Sequence, residues 1–549
     1  MKCEVKVLSS LEKVRFEIPQ EIPEHTSGSM LKNEIYSFQL AICGVEPTEN
    51  RWTCVLKLNS ELEPYITVKQ VDYVPVRIPS VEIDDDEDYI SKNPGLFPDA
   101  LRSVKNGRIE YFYKKAYAYW ITIEPNGEKT GKYPITLELL NTEGQVLAEK
   151  TFTIEILDAS LPESQVRNTC WFHGDCLAKL HHVDMMSEEY WKIVEKYLTV
   201  YTKFGHNMIL TPIFTPPLDT EMGKERPTNQ LVEVFLDKGQ YTFEFGKLKR
   251  WLDMCRRHGI RYFEMAHLFT QWGAKHAPKI MATVDGEYRK IFGWDTDALS
   301  EAYCRFLQAF LPELVHFLKQ EQVMECCYFH ISDEPSAERE EQYRSVKGIV
   351  SSYVPDSKWI DALSDYSFYE KGIVSKPVVA SDHIHAFMEH GVQNLWTYYC
   401  SGQRKDVANR FIAMPSYRNR ILGYQLYKNR IEGFLQWGFN FWFTSGSSGI
   451  SNPFIDTSSG GNFPSGDAFL VYPMDDDGEV VCSMRLYVFL EAFQDMRALE
   501  LLESLTDRKT VMALLEDVEG FDVYPRNGQY ILQLRERVNQ MIRELSEKN

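Results

Sequence analysis

The spacing of apolar residues divides the chain into two parts. Up to about residue 165, short runs such as EIYSFQLAICGV and KTFTIEILD are separated by turn segments such as PNGEKTG. Roughly seven such runs, with almost no helical periodicity, are typical of strands in an antiparallel β-sandwich. We therefore predict a β-sandwich domain over residues 1–165.

From about residue 168, short apolar runs alternate with amphipathic stretches of helical spacing, which indicates a parallel α/β domain. Eight strand-helix pairs fit a (β/α)8 barrel of the TIM type, predicted over residues 166–505. A C-terminal helical extension follows over residues 506–549, and RLYVFLEAFQDMRALELLESL is predicted to complete the outer ring of helices. The predicted barrel strands are TCWFHG, NMILTPIF, RYFEMAHLF, CCYFHIS, KWIDALS, KPVVASD, NLWTYYC and FNFWFTS.

The fourth predicted barrel strand runs into the segment HISDEPS, residues 330–336, where Asp333 and Glu334 are neighbours. Pro335 suits the first position of the following helix and biases Glu334 toward an extended backbone. The C-terminal ends of barrel strands carry the active site, so the acid pair is predicted to face it. The alternative that one acid only caps the helix stays open at this point.

Composition narrows the possible partners and locations. Sixty basic and 79 acidic residues leave a formal charge of −19, which argues against nucleic-acid and anionic-membrane partners. No stretch is apolar for long enough to span a membrane, and MKCEVKVLSSLEKVRFEIPQ lacks the apolar core of a signal peptide, so a cytoplasmic location is expected. Eleven scattered cysteines predict reduced thiols. The acidic loop EIDDDEDYISKNPG lacks the spacing of a calcium loop and is predicted to be a solvated connection.

Polar and aromatic residues recur at the predicted strand ends. Each one alone is more often a packing residue, but their recurrence at one rim favours a binding pocket. Aromatic faces and acids together suit a sugar, which offers C–H faces for stacking and hydroxyl edges for hydrogen bonds. No metal, phosphate-loop or serine-nucleophile motif competes. The candidate sugar-binding residues at this rim are Trp171, His173, Asp175, Asn207, His267, Trp272, Trp396, Tyr398, Tyr399 and Trp442.

The adjacency of the two acids bears on the mechanism. Ordinary glycosidases hold two carboxylates on opposite sides of the scissile bond, whereas sequence neighbours approach from one side. The pair therefore suits substrate-assisted catalysis, in which the 2-acetamido oxygen of the sugar is the nucleophile. Glu334 would be the general acid and base, and Asp333 would orient the acetamido group. Mutual repulsion is expected to keep Glu334 protonated to higher pH.

Three stretches resemble glycoside hydrolase family 123, which is related to the domain of unknown function 4091: HISDEP, LWTYYC and SGDAFLVYPMDDDGEVVCSMRLYVFLEAFQDMRALELL. The resemblance implies a sandwich followed by a barrel and a β-N-acetylgalactosaminidase activity. It assigns Asp333 and Glu334 the roles given above, Tyr398 to the acetamido group and Asp467 to sugar hydroxyls, with Tyr472 of LVYP as a further binding residue. The chain departs from the family's R-D-G-x-x-D helix ending, where it has LEAFQDMRALELL.

We therefore expect a retaining, metal-independent exo-glycosidase without a cofactor that removes terminal β-linked N-acetylgalactosamine from a glycan or glycoconjugate. Nucleic acid is not expected as a partner, and the oligomeric state is left open. Two alternatives remain: hydrolysis of a β-N-acetylglucosaminide or another 2-acetamido sugar, and a non-catalytic carbohydrate-binding protein. The intact acid pair argues against the second.

Overall fold

A computed structural model describes residues 3–15, 22–45, 52–81, 86–335 and 337–547. Ten strands precede the α/β part of the chain and lie in two packed sheets. Their bounds are β1 Cys3–Ser9, β2 Ser27–Leu31, β3 Tyr36–Gly44, β4 Trp52–Asn59, β5 Ile66–Val76, β6 Gly95–Ser103, β7 Arg108–Tyr111, β8 Ala116–Ile123, β9 Gly131–Leu140 and β10 Val146–Leu157.

The two sheets enclose a core of their own. One sheet contains β1-β3-β8-β5-β6 and the other β2-β10-β9-β4-β7, in that order. Along β9, Ile135, Leu137 and Leu139 are buried and alternate with more exposed residues, as a half-buried strand requires. Phe38 and Phe152 stack across the interior with ring centroids 4.1 Å apart. The predicted antiparallel sheets are confirmed, except that β2 pairs in parallel with β10.

The middle of the chain alternates strands and helices, and serine side chains cap several of the helices. Ser187 accepts a hydrogen bond from Tyr190 N at the start of α2, and Ser300 accepts one from Tyr303 N at α4. The strands are β11 Arg167–Cys170, β12 Met208–Thr211, β13 Glu233–Asp237, β14 Gln240–Glu244, β15 Tyr262–Met265, β16 Ile280–Val284, β17 Glu287–Phe292, β18 Cys327–Phe329, β19 Asp361–Leu363, β20 Pro377–Ala380, β21 Trp396–Tyr398 and β22 Gly433–Gln436. The helices are α1 Gly174–Leu180, α2 Glu188–Lys203, α3 Gly246–Arg257, α4 Glu301–Gln320, α5 Glu340–Val350, α6 Ser367–Glu370, α7 Ile384–Glu389, α8 Tyr417–Arg420 and α9 Leu422–Lys428.

Eight of these strands form one parallel sheet in the order β18-β15-β12-β11-β22-β21-β20-β19. The sheet curls so that its two edges meet: Phe329 forms a parallel bridge with Trp359, and Ile360 N donates to Phe329 O at 2.9 Å. The result is a barrel-like sheet in which chain neighbours lie side by side. Strands β13, β14, β16 and β17 form a separate four-stranded sheet inserted between barrel elements.

The prediction of the eighth barrel strand is wrong. FNFWFTS is not a strand of this sheet, and β22, with the sequence GFLQ, pairs with β11 and β21 instead. The sequence places GFLQ directly after the amphipathic stretch YRNRILGYQLYKNRIE, whose helical spacing continues into it. That helix ends at Lys428, because Arg430 adopts a positive φ of 50° that no α-helix continues.

The C-terminal part of the chain returns to the sandwich. Strands β23 Val471–Met474 and β24 Val480–Ser483 extend the first sheet, with β24 pairing antiparallel to β6. Helices α10 Met484–Leu505, α11 Arg508–Leu514 and α12 Gly528–Ser546 follow.

Buried ion pairs reinforce this connection between the sandwich and the C-terminal helices. Arg485 of α10 binds Asp99 of β6 at 2.8 Å. Arg535 of α12 binds Glu34 at 2.6 Å and Asp495 at 2.8 Å. Breaking such a pair leaves an uncompensated buried charge, so the sandwich and the C-terminal helices behave as one packed unit.

The structure bears on three expectations from the sequence, which concern the cysteines, membrane-spanning segments and the acidic loop. All eleven cysteines are free thiols. Among the described residues, no helix has both the length and the apolar character needed to cross a bilayer. Residues 82–85 of the acidic loop lie outside the described residues, but Asp86 pairs with the buried Arg418 at 2.8 Å. The expectation of a fully solvated loop is therefore wrong at Asp86, because a buried guanidinium needs a partner.

Candidate active site

Asp333 and Glu334 enter a cavity at the C-terminal end of β18. The cavity is open to solvent and encloses about 680 Å3 when that open space is included, and both acids line it. Strand β18 is shorter than the predicted CCYFHIS, but the buried residues His330, Ile331 and Ser332 continue the chain toward the acids. The acids are thus held at the end of a rigid segment.

The Glu334 backbone is held in a left-handed conformation. Its φ is 46°, its N–H donates to Ala362 O at 3.1 Å, and its side-chain Oε1 accepts from the Tyr398 hydroxyl at 2.7 Å. The expected extended backbone is therefore wrong. Neither acid caps α5, because that helix begins at Glu340 with Arg339 as its N-cap residue. Such strained positions persist where surrounding contacts over-determine them, which occurs mainly at functional sites.

The Asp333 carboxyl has a strongly shifted pKa. Burial raises the pKa of Asp333 well above its ordinary range, and the adjacent Glu334 carboxylate raises it further. The charge of the buried His330 lowers the Asp333 pKa, whereas the negative charges of Asp361 and Glu264 raise it.

Two further non-glycine residues with positive φ line the same cavity: Asp219 at 40° and Trp272 at 59°. The Trp272 side chain is exposed, at 60% for the whole residue, and the Trp272 backbone N–H donates to the Asp333 carbonyl oxygen at 2.8 Å. Gly273, with φ 124°, follows it, and a Cβ there would lie 2.7 Å from the Arg339 side chain. Only glycine fits this turn, which presents the indole beside the acid pair.

His173 also lines the cavity, but its imidazole has no role left in proton transfer. Arg226 Nη2 donates to His173 Nδ1 at 3.1 Å, so Nε2 carries the proton and donates to Trp437 O at 2.9 Å. Burial and the Arg226 charge lower the pKa of His173 to about 3. Asp175 holds Arg226 in place through two contacts of 2.9 Å. His173 is therefore a neutral wall of the cavity.

A buried charged layer lies beneath the cavity, inside the barrel-like sheet. Glu264 accepts from His330 Nε2 and from Trp171 Nε1, both at 2.6 Å. His330 Nδ1 lies 3.3 Å from Asp361 Oδ1. Burial alone would lower the pKa of His330, but the hydrogen bonds to Asp361 and Glu264 outweigh it and raise that pKa to about 9. His330 is thus an imidazolium between two carboxylates, and Trp171 connects this layer to the cavity.

One group of side chains among the described residues has the composition of a metal site. It consists of His267, His330 and Asp361, whose ligand atoms lie within 4.8 Å of one another. His330 already uses both ring nitrogens for hydrogen bonds, and His267 stacks on it with centroids 4.2 Å apart. Parallel rings do not converge on a tetrahedral ion, so the group is better described as an ion-paired layer.

The structure separates the residues predicted from sequence into two groups. Those that line the cavity are Asp333, Glu334, Tyr398, His173, Trp272 and Trp171. Those that do not line it are Asp175, Asn207, His267, Trp396, Tyr399, Trp442, Asp467 and Tyr472, all of which are buried.

Several residues of the second group act at a distance from the cavity. Asp467 accepts from Trp437 Nε1 at 3.0 Å and so supports a cavity wall, while burial raises its pKa to about 7. Tyr472 donates to Asp99 at 2.6 Å in the sandwich connection. Asn207 precedes β12 and Trp396 begins β21, which places both at the opposite end of the barrel-like sheet.

Sequence reasoning missed more than half of the cavity wall. Asp219 and Gln271 had a usable signal, since each follows a predicted strand by a few residues. Trp437 and Phe441 were hidden by the misplaced eighth strand. The missed lining residues are Leu218, Asp219, Gln271, Ala362, Cys400, Ser401, Leu435, Trp437, Phe441 and Phe463.

The charged layer yields a stability prediction. Glu264→Gln leaves the His330 imidazolium with one carboxylate and should cost on the order of 3–5 kcal/mol of unfolding free energy. In the wild type, folding raises the pKa of His330 from 6.5 to about 9, so protonation of His330 stabilises the folded state. This stabilisation is complete below pH 6.5 and is lost as the pH rises through about 9. The melting temperature of the wild type should therefore be lower at pH 9.5 than at pH 6.5. The difference between the two melting temperatures should be smaller in Glu264→Gln.

The matched control for this prediction is Glu301→Gln. Glu301 pairs with Arg305 at 2.7 Å, but its side chain is 83% exposed, so we expect a change of only about 0.5 kcal/mol or less. Equal losses in the two variants would contradict a special role for the buried layer.

Comparison with known proteins identifies a family for this chain. The family model described as the catalytic domain of glycoside hydrolase family 123 matches residues 171–502. A family 123 glycoside hydrolase from Clostridium perfringens, studied for glycolipid glycan hydrolysis, aligns over 100% of both chains with a TM-score of 0.75 and 16% identity. No curated protein sequence matches the chain.

Weaker structural similarities involve two β-glucuronidases. The Parabacteroides merdae enzyme aligns over 90% of this chain and 52% of its own, with a TM-score of 0.31 and 10% identity. The Bifidobacterium dentium enzyme aligns over 90% and 66%, with a TM-score of 0.33 and 9% identity. The family match covers more than half of the chain and includes the acid pair, so the resemblance is confirmed: the chain belongs to glycoside hydrolase family 123 and is a glycosidase.

Proposed function

We propose that the protein is a retaining exo-β-N-acetylgalactosaminidase that uses the acetamido group of its substrate as the nucleophile. The observation that carries the proposal is the entry of Asp333 and Glu334 into one cavity from consecutive positions, with Glu334 held by Tyr398. Carboxyls on one chain segment approach a sugar from the same side. The proposal takes the curled sheet as a (β/α)8 barrel, whose catalytic groups stand at the C-terminal ends of the strands.

The first chemical step forms an oxazolinium ion. The acetamido carbonyl oxygen attacks C1 of the sugar, and the bond from C1 to the leaving oxygen breaks. The proton of the Glu334 carboxyl moves to that oxygen, so the aglycone departs as a neutral alcohol. Tyr398 donates to Oε1 and leaves the other carboxyl oxygen, Oε2, available for this transfer.

The second step reverses the roles. A water molecule attacks C1, the Glu334 carboxylate takes one proton from it, and the ring bond from C1 to the acetamido oxygen breaks. Two displacements at C1 leave the product with the anomeric configuration of the substrate. The acetamido group is restored, and Glu334 is again protonated.

Asp333 has a separate task. Its carboxylate would accept the acetamido N–H, which turns the carbonyl oxygen toward C1, and would stabilise the positive charge of the oxazolinium. Because burial and Glu334 raise the pKa of Asp333, this carboxylate holds its charge in an unfavourable environment. A developing cation beside it relieves that cost, so the stabilisation is greater in the transition state than in the ground state.

A second mechanism is supported by one observation, the presence of Asp219 on the same cavity. A third carboxylate on another loop could attack C1 directly, as in ordinary retaining glycosidases. Both mechanisms retain configuration, so stereochemistry alone does not separate them. Dependence on the acetamido group does.

The test compares nitrophenyl β-glycosides of N-acetylgalactosamine, N-acetylglucosamine and galactose, with product anomers followed by NMR. We expect turnover of the N-acetylgalactosaminide with retention, slower turnover of the gluco epimer and none of the galactoside. The thiazoline analogue of the oxazoline should inhibit. Preference for the gluco epimer would assign the alternative 2-acetamido sugar, and hydrolysis of the galactoside would contradict acetamido participation.

A further inference from the structure

We propose that Asp219 binds ring hydroxyl groups of the sugar and thereby determines which 2-acetamido sugar the cavity accepts. The inference rests on the proposed function and adds to it a specificity residue that stands apart from the acid pair. Asp219 lies in the loop after β12, whereas the acid pair follows β18, two strands away in the sheet.

The Asp219 carboxylate is only partly used by the protein. Oδ2 accepts from Gly446 N at 3.2 Å, and no residue in the described part of the chain donates a hydrogen bond to Oδ1. The side chain is partly exposed and lines the cavity. A carboxylate has room for about four hydrogen bonds on its two oxygens, so Asp219 can still accept from substrate hydroxyls.

The backbone of Asp219 is fixed on both sides. Its N–H donates to Gln271 Oε1 at 2.7 Å, and its carbonyl oxygen accepts from the Ser447 hydroxyl at 2.7 Å. These contacts hold a non-glycine residue at a φ of 40°, a conformation that needs support from its surroundings. Because both sides of the backbone are held, the Asp219 carboxylate keeps one direction relative to the cavity that it lines.

One loop connects Asp219 to the acid pair. The Gln271 side chain accepts from the Asp219 backbone N–H. The backbone N–H of the next residue, Trp272, donates to the Asp333 carbonyl oxygen at 2.8 Å. The separation between the two acidic positions is thus set by consecutive residues of one strained turn. A sugar whose C1 lies at the acid pair would extend its remaining ring hydroxyls toward Asp219.

The chemistry suits discrimination between epimers. A carboxylate accepts two neighbouring hydroxyls at once, and this geometry is lost when one hydroxyl is inverted or removed. Burial raises the pKa of Asp219, while Gly446 N and the nearby Arg226 oppose the rise. The carboxylate therefore gains from any hydroxyl donor that replaces water, and an analogue without that donor leaves it unpaired.

The experiment measures kcat/KM of wild type, Asp219→Ala and Asp219→Asn on nitrophenyl β-N-acetylgalactosaminide and on its 3-, 4- and 6-deoxy analogues. Wild type should prefer the parent over at least one analogue by about 100-fold or more. In Asp219→Ala this preference should fall to within about 3-fold, because the partner of that hydroxyl is gone. Asp219→Asn keeps the shape of the side chain but removes its charge. This variant replaces Asp219→Ala in the comparison if the alanine variant does not fold.

Asp285→Asn is the matched control. Asp285 also has a positive φ, 47°, and accepts one backbone N–H, from Lys238 at 3.3 Å, but it does not line the cavity. It should keep the wild-type preference. An unchanged preference in both Asp219 variants would overturn the inference while leaving the proposed function intact.

Two other outcomes are also decisive. Rescue of Asp219→Ala by azide, with a glycosyl azide as product, would identify Asp219 as a nucleophile and overturn both proposals. Absence of turnover of the parent glycoside by wild type would likewise overturn both.

Discussion

Glu334→Gln should lower kcat on an unactivated β-N-acetylgalactosaminide by about 100- to 10,000-fold, the range of general acid catalysis. Glutamine keeps the shape of the side chain and can still accept from Tyr398, but it has no proton to give. A 2,4-dinitrophenyl leaving group needs little protonation. For a substrate with this aglycone, Glu334→Gln should therefore slow the first step much less. Steady-state and burst kinetics on the two aglycones measure this difference.

Glu338→Gln is the matched control for the acid. Glu338 lies four residues along the chain, and its side chain is exposed, so its replacement should leave kcat unchanged. A Glu334→Gln variant with wild-type kcat on the unactivated glycoside would remove the acid role. An equal loss on both aglycones would instead indicate that Glu334 positions the substrate.

Asp333→Asn should lower kcat/KM by about 100- to 1,000-fold, as expected when a charge that stabilises the transition state is removed. Inhibition by the thiazoline analogue should weaken in parallel, because the inhibitor resembles the state that Asp333 stabilises. In wild type, activity should fall on the acid side as Asp333 becomes protonated, well above the usual range of an aspartate. Measuring kcat/KM as a function of pH for the wild type and for Asp333→Asn tests this fall in activity on the acid side.

The same substitution should stabilise the protein at neutral pH. Burial and Glu334 raise the pKa of Asp333 in the folded state, so ionising Asp333 costs folding free energy as pH rises from about 4 through the raised pKa. Asparagine does not ionise and avoids this cost. The melting temperature of Asp333→Asn should exceed that of wild type at pH 7.5, and the difference should vanish near pH 4.

Asp477→Asn is the control for this stability effect. Asp477 is about half exposed in the turn between β23 and β24, where it lies 3.4 Å from Lys105, and we expect a change within about 0.5 kcal/mol at either pH. A lower melting temperature for Asp333→Asn at neutral pH would show that the Asp333 charge is satisfied in the folded protein.

The sequence predicted the parts of the fold and site that depend on local pattern. Alternating apolar residues located most sandwich strands, and strand-helix alternation located seven of the eight barrel strands. The acid pair stood out because two charges follow a buried run. Strand β22 was missed because four apolar residues have no readable period of their own.

Long-range contacts were not accessible from the sequence. Asn207 and Trp396 are a different case, because both stand near the start of the predicted strands NMILTPIF and NLWTYYC, and this order already indicated the N-terminal end of the sheet. Asp219 reaches the cavity only because contacts from Gln271 and Ser447 hold its backbone in a rare conformation. Such long-range contacts leave no trace in local periodicity.

The strand order of the first sandwich sheet has a consequence for biosynthesis. Its five N-terminal strands leave the ribosome early, but β23 and β24, which cover the edge of β6, follow some 370 residues later. Until then the nascent chain carries an unpaired strand edge, a template for intermolecular pairing. We therefore expect truncated chains that end before residue 471 to self-associate and to depend on chaperones.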